Sequence, residues 1–247
     1  MKANRFLLLL LIGAIVAVTV LPAQEVGGGI SLFLPLSTFE HQEGSLSVET
    51  ALESTIGLGP VLSLPFGIAY NQVWGLTPRG DDGTGDPIDV SAPWFYADAL
   101  SPYLMVLVRV PAGPLFLDLY GGGVVNFNLT LRPLQGAMLE DFETLRQANG
   151  GEGSEIVGID DLSVDSGVGY GFLAGAGVGM RFPPVRIVLS GTYRHLMHPL
   201  IVSGNYYDRD GDSYPFSTDD SGSPLYIEEL ELLLRGVAIG INASVEM

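Results

Sequence analysis

Residues 167–182 read GVGYGFLAGAGVGMRF. Val168, Tyr170, Phe172, Ala174, Ala176, Val178, Met180 and Phe182 alternate with Gly167, Gly169, Gly171, Leu173, Gly175, Gly177, Gly179 and Arg181. Successive side chains of a strand point to opposite faces, so this segment has one apolar face and one face of nearly bare backbone. Period two alone does not say which face is outside. The small residues decide it. Gly, Ala and Ser cannot form a hydrogen-bonding, solvated exterior, but they fit a narrow interior, and the apolar face then meets lipid.

Seven further stretches share this alternation: 26–36, 46–58, 61–74, 96–110, 115–129, 185–197 and 237–247. The connections between the eight alternate in length. Gly59-Pro60, Pro111 to Pro114 and Pro183-Pro184 are short, whereas 37–46, 75–95, 130–165 and 199–229 are long. Strands joined this way run up and down, with tight turns at one end and large loops at the other. The stretches reach or exceed the 9–11 residues a tilted strand needs to cross a bilayer. The expected fold is all-β: an eight-stranded antiparallel up-and-down transmembrane β-barrel, in which closure satisfies every backbone group. Residues 237–247 are expected to close it against 26–36. Residues 226–234 change phase, which predicts a bulge or an extension beyond the membrane.

The chain opens with Lys2 and Arg5, an apolar run from Phe6 to Val20, and Leu21-Pro22-Ala23. This pattern predicts a signal peptide over 1–23 and a single barrel domain over 24–247. There is no cysteine, hence no disulfide framework and no Cys-based metal site. Beyond Ala23 every basic residue is Arg, and the whole chain carries 28 acidic residues and a formal net charge of −17. That balance excludes nucleic acid as a partner, because phosphates demand a basic patch. Tyr70, Trp74, Trp94, Phe95, Tyr96, Phe127 and Tyr193 lie near the long-loop ends and are expected to form an outer aromatic girdle. Leu134, Met138, Phe142 and Leu145 follow helical spacing and predict a short helix over 134–149.

In strand number, turn rhythm and amphipathic final strand, residues 24–247 resemble the small eight-stranded outer-membrane barrels of the OmpA/OmpX/OmpW type. The resemblance is architectural and carries no site motif. That class usually ends in an aromatic residue read by the assembly machinery, whereas this sequence ends Val245-Glu246-Met247.

Three groups of residues are candidates for chemistry. Asp208-Arg209-Asp210-Gly211-Asp212 places carboxylates at positions 1, 3 and 5 of a Ca²⁺ loop, and Asp219 falls at position 12. Ser213 at position 6 and Pro215 depart from that pattern, and a plain Asp/Gly turn is the alternative. Parity places Glu53, Arg109, Asp118, Arg181, Arg186 and Glu246 inside the barrel, five of them near the short-turn end. Buried charges must pair, which makes them an ion-pair plug or a gate. An eight-stranded interior holds only side chains or one small ligand, which favours the plug. Finally, His195 and His198 sit at the outer end of their strand. Parity aims His195 at lipid, where lipid-hydrolysing barrels keep a His with Ser two residues on, but position 197 is Met.

The reading is an integral outer-membrane protein, not an enzyme and without a cofactor apart from the candidate Ca²⁺. It is secreted by its signal peptide to the outer membrane of a double-membrane bacterium. Its partners are membrane lipid, the outer-membrane assembly machinery and an extracellular ligand or surface met by long acidic loops, in adhesion, surface interaction or envelope integrity. The alternatives are a narrow conduit or binding barrel for small or apolar molecules, and a lipid-modifying barrel enzyme.

Overall fold

The computed structural model describes residues 25–35, 47–76, 78–81, 93–149 and 154–247. Among them the elements are β1 (Glu25–Pro35), β2 (Ser47–Gly57), β3 (Leu62–Leu76), β4 (Pro78–Asp81), β5 (Phe95–Ala112), β6 (Leu115–Pro133), α1 (Gln135–Ala148), β7 (Ile156–Ser166), β8 (Gly169–Phe182), β9 (Val185–Asp208), β10 (Ser213–Ser217) and β11 (Glu228–Glu246). The signal peptide expected over 1–23, the connection 37–46 and most of 75–95 lie outside the described residues.

β1, β2, β3, β5, β6, β8, β9 and β11 pair antiparallel, each with the next. The ring closes because β11 pairs with both β9 and β1. The β1–β11 seam runs in unbroken register from Glu25↔Glu246 to Pro35↔Gly236. This is the eight-stranded up-and-down barrel that the alternation predicts. Outward side chains form an exposed apolar band: Leu52 is 70 % exposed, Ile30 62 % and Ile241 60 %. A surface of that kind all round a barrel suits hydrocarbon and not water.

Inward positions alternate large and absent side chains. A Cβ on Gly175 would lie 2.7 Å from the ring of Tyr120, which occupies that place. The hydroxyl end of Tyr103 lies over Gly67 in the same way. The glycines of strand β8 therefore do more than thin the wall. They are sockets that let bulky residues of neighbouring strands fit a narrow lumen.

Beyond the barrel the described parts of the long connections are folded. β9 continues to Asp208 instead of stopping near Met197, and β7 and β10 pair with its two edges. β11 begins at Glu228, with a register shift between Glu228 and Glu231 and with Glu229 at φ 52°, which bears out the predicted phase change. The predicted helix is present as α1, and Met138, Phe142 and Leu145 are its buried face. These elements enclose a second apolar core. Trp94 meets Phe142 edge to face at 5.2 Å, and Phe142 meets Phe216 likewise at 5.2 Å. Leu225, Ile227, Val202 and Tyr206 complete its interior.

The aromatic girdle is corrected by this core. Trp94 and Phe95 are 0 % exposed and belong to the cap interior, because the chain entering β5 folds inward under α1. Tyr70, Tyr96, Phe127 and Tyr193 remain on the wall at least partly exposed, and Phe172 and Tyr170 join them. The side chain of Trp74 lies outside the described residues.

The β1–β11 register yields a test. Deleting Ala243 to Met247 removes the partners of Glu25 to Gly28 and of Val185 to Ile187. An open edge at membrane depth leaves backbone groups unsatisfied at several kcal/mol each. The truncated chain should lose the heat-modifiable gel shift of a folded barrel, while Met247→Phe should retain it.

Candidate functional site

Three groups of polar residues lie along the lumen. At the short-turn end Arg109 donates two hydrogen bonds to Asp118, at 2.7 and 2.8 Å, and a third to Glu25 at 3.0 Å. The pair is directly cross-strand, Arg109↔Asp118, so the β5–β6 hairpin itself sets its geometry. Arg186 bridges Glu25 and Glu246, and Arg181 donates to Glu246 at 2.7 Å. Arg109 also stacks over Phe116, 4.5 Å from the ring centre. Arg181 stands at the mouth with half its side chain exposed, so it closes the network from the water side.

The middle layer holds Glu53, Tyr103 and Tyr120. Tyr103 donates to Glu53 at 3.0 Å, and Tyr120 shares a 2.7 Å bond with Thr192. Met105, Val124, Leu173 and Leu196 pack beside them on the β5–β6–β8–β9 wall. The opposite wall carries Gly27, Gly29 and Ala51, which leaves a cavity of about 120 Å³. That is room for several water molecules among polar partners.

The upper layer is one hydrogen-bonded chain. Arg194 grips Glu49 with both terminal nitrogens and donates to Asn71 at 3.2 Å. Asn71 donates to Ser101 at 2.8 Å, and Ser101, Asn126 and His198 continue the chain. Its members come from β2, β3, β5, β6 and β9, so it ties the barrel wall together across its width.

The expected lumen set of Glu53, Arg109, Asp118, Arg181, Arg186 and Glu246 is found on the inward face, but it is incomplete. Glu25, Glu49 and Arg194 are missing from it, although Glu49 and Arg194 share its parity. The long-range pairing Glu49–Arg194, between β2 and β9, has no signal in local spacing. Glu53 corrects the expected ion-pair set: it stands apart from the short-turn cluster in β2 and takes its hydrogen bond from the Tyr103 hydroxyl, not from an arginine.

The Ca²⁺-like segment makes a turn. Asp208 accepts backbone N–H bonds from Asp210 at 3.1 Å and Asp212 at 3.0 Å, and Gly211 takes φ 87°. Asp219 instead accepts from the Ser217 hydroxyl. The structure does not bring Asp208, Asp210, Asp212 and Asp219 together: among the described residues no three His, Asp or Glu gather in a metal-holding group. His195 lies on the outer wall, stacked on Phe172 at 5.4 Å, while His198 is buried in the lumen chain.

In the cap, burial works to raise the Glu143 carboxyl, but Arg146, the Ile156 N–H and Gln147 outweigh it and hold the carboxyl below its ordinary range. Arg146 donates at 2.8 Å and the Ile156 N–H at 3.0 Å, which docks α1 onto β7.

No family model matches this chain, and no curated protein matches it. Solved structures similar to this chain include the following two. Neisserial surface protein A shares 11 % identity over 90 % of this chain and 96 % of its own, with a TM-score of 0.44. A major outer membrane protein from Thermus thermophilus shares 13 % identity over 90 % of this chain and 99 % of its own, with a TM-score of 0.49. The eight-stranded assignment rests on the strand pairing of this chain itself.

Two expectations follow from these pairings. Arg194→Leu leaves Glu49 buried and unpaired, and should lower the stability of the folded barrel against urea by about 3–5 kcal/mol. Adding Glu49→Leu should restore most of it, while Arg181→Leu should cost much less. Because the Glu143 carboxyl is depressed when folded, its contribution is present above the unfolded value of about 4.3 and is lost as pH falls through the folded one. Amide protection factors of 135–148 and 156–166, corrected for the intrinsic exchange rate at each pH, should therefore fall on acidification, and Glu143→Gln should flatten that dependence.

Proposed function

We propose that this chain is an integral outer-membrane barrel of the small eight-stranded class, without enzymatic activity, whose working surface is its folded cap. One observation carries the reading. The lumen is crossed by paired charges, while the connections at the far end enclose an apolar core of their own around Trp94, Phe142 and Phe216. Ordering a cap costs about 1–2 kcal/mol of backbone entropy per residue, so a chain that spends it presents a fixed surface. The acidic exterior of that surface would meet a cationic or metal-bridged partner outside the cell, in adhesion, surface interaction or envelope integrity. Insertion would need the outer-membrane assembly machinery and the expected signal peptide.

The conduit reading is disfavoured by the Arg109–Asp118 pair, tied to Glu25 of β1, and by the Arg194–Glu49 pair, which reaches across the lumen from β9 to β2. The lipid-modifying reading is disfavoured by Met197, where such an enzyme carries Ser, and by the stacking of His195 on Phe172.

Purified barrel in planar bilayers should give no stepwise conductance, and Asp210→Cys should label on intact cells while Ala112→Cys does not. A steady wild-type channel would favour the conduit, and labelling of residue 112 alone would reverse the orientation.

A further inference from the structure

Among the arginines whose side chains are described, all but Arg235 have a carboxylate within 4.0 Å. Arg235 instead donates from Nε to the hydroxyl of Tyr193 at 3.0 Å, which leaves its two terminal nitrogens for another acceptor. In a chain of net charge −17 an arginine without an acidic neighbour stands out.

Its place on the wall is the second observation. Phe172, His195 and Arg235 form one row across β8, β9 and β11, with Phe172↔His195 and His195↔Arg235 as direct cross-strand partners. The imidazole lies nearly parallel to the Phe172 ring, and Tyr193 packs against that ring at 5.9 Å. Arg235 shares the outward parity of Val237, Ile239, Ile241 and Val245, so it projects from the lipid-facing side. Below it those residues are all uncharged, as are the outward residues of β9 from Tyr193 down to Val185.

Height is the third. Val185 and Val245 are paired at the short-turn end. His195 and Arg235 stand ten residues further along their strands, which at about 3.3 Å per residue and a tilt of about 40° is roughly 25 Å. That is the height of the apolar band of an outer-membrane barrel, so the row lies where hydrocarbon gives way to headgroups. A guanidinium there is tolerated near the interface and costly deeper. Its free face is a planar fork that fits two oxygens of a phosphate.

We infer that Arg235, His195 and Tyr193 form an outward-facing site for the phosphate of an anionic lipid in the outer leaflet, with Phe172 against the first part of its acyl chains. The site rests on the membrane-spanning reading above. Arg235 supplies the charge, Tyr193 fixes the guanidinium, and His195 adds a ring N–H beside it.

The test uses the full barrel refolded in detergent with an equimolar mixture of phosphatidylglycerol and phosphatidylcholine, and counts retained lipids by native mass spectrometry. Wild type should keep phosphatidylglycerol in preference. Arg235→Gln should reduce that retention about tenfold, the loss expected for one charge-assisted pair. His195→Gln should reduce it less, and Arg132→Gln, an exposed arginine of the cap end, should leave it unchanged. Inorganic phosphate at millimolar concentration should not displace the lipid; if it does, the site is one for the free ion. Equal retention by wild type and Arg235→Gln, or no preference over phosphatidylcholine, would overturn the site. Insertion into phosphatidylcholine vesicles, read by the gel shift, separates the two readings. A wild type that fails to insert would sink the membrane-spanning reading, whereas normal insertion with indifferent lipid retention would sink the site alone.

Discussion

The seam between β1 and β11 is the interaction on which the rest depends. A sheet immersed in hydrocarbon has no water to satisfy its edges, so each unpaired N–H or C=O there costs several kcal/mol. Eleven consecutive partners, Glu25↔Glu246 to Pro35↔Gly236, remove both edges together. Once the ring is closed at eight strands, its diameter is fixed, and so is the space available inside.

The lumen follows from that limit. Eight strands cannot house a large side chain from every inward position, so bulky and absent side chains face each other. Tyr120 fits because Gly175 has no Cβ, and Tyr103 fits over Gly67. Ionisable residues admitted to the same space need an ion-pair or hydrogen-bond partner, since a lone buried ion costs more than its attraction elsewhere returns. Glu25 with Arg109 and Arg186, and Glu49 with Arg194, meet that demand from strands far apart in sequence. A lumen crossed by paired charges leaves the cap, with its own core of Trp94, Phe142 and Phe216, as the proposed working surface.

Period-two alternation with alternating loop lengths was enough to determine the barrel, its strand number and its up-and-down order, because both properties are local along the chain. Helical spacing at Met138, Phe142 and Leu145 determined α1 for the same reason, and parity placed Arg109, Asp118 and Arg186 in the lumen. Tertiary structure alone decided which charges meet. Glu49 and Arg194 are 145 residues apart, and only barrel closure and strand stagger bring them together. It also decided that Trp94 and Phe95 serve the cap and not the girdle, since a position near the membrane edge in sequence fits either role until the cap folds over it. The spacing of Asp208, Asp210 and Asp212 was legible too, but only the fold shows that Asp208 accepts the backbone amides of its own turn. Residue pattern fixes which face a side chain takes; which partner it finds across that face depends on register between strands, and register is a property of the closed ring.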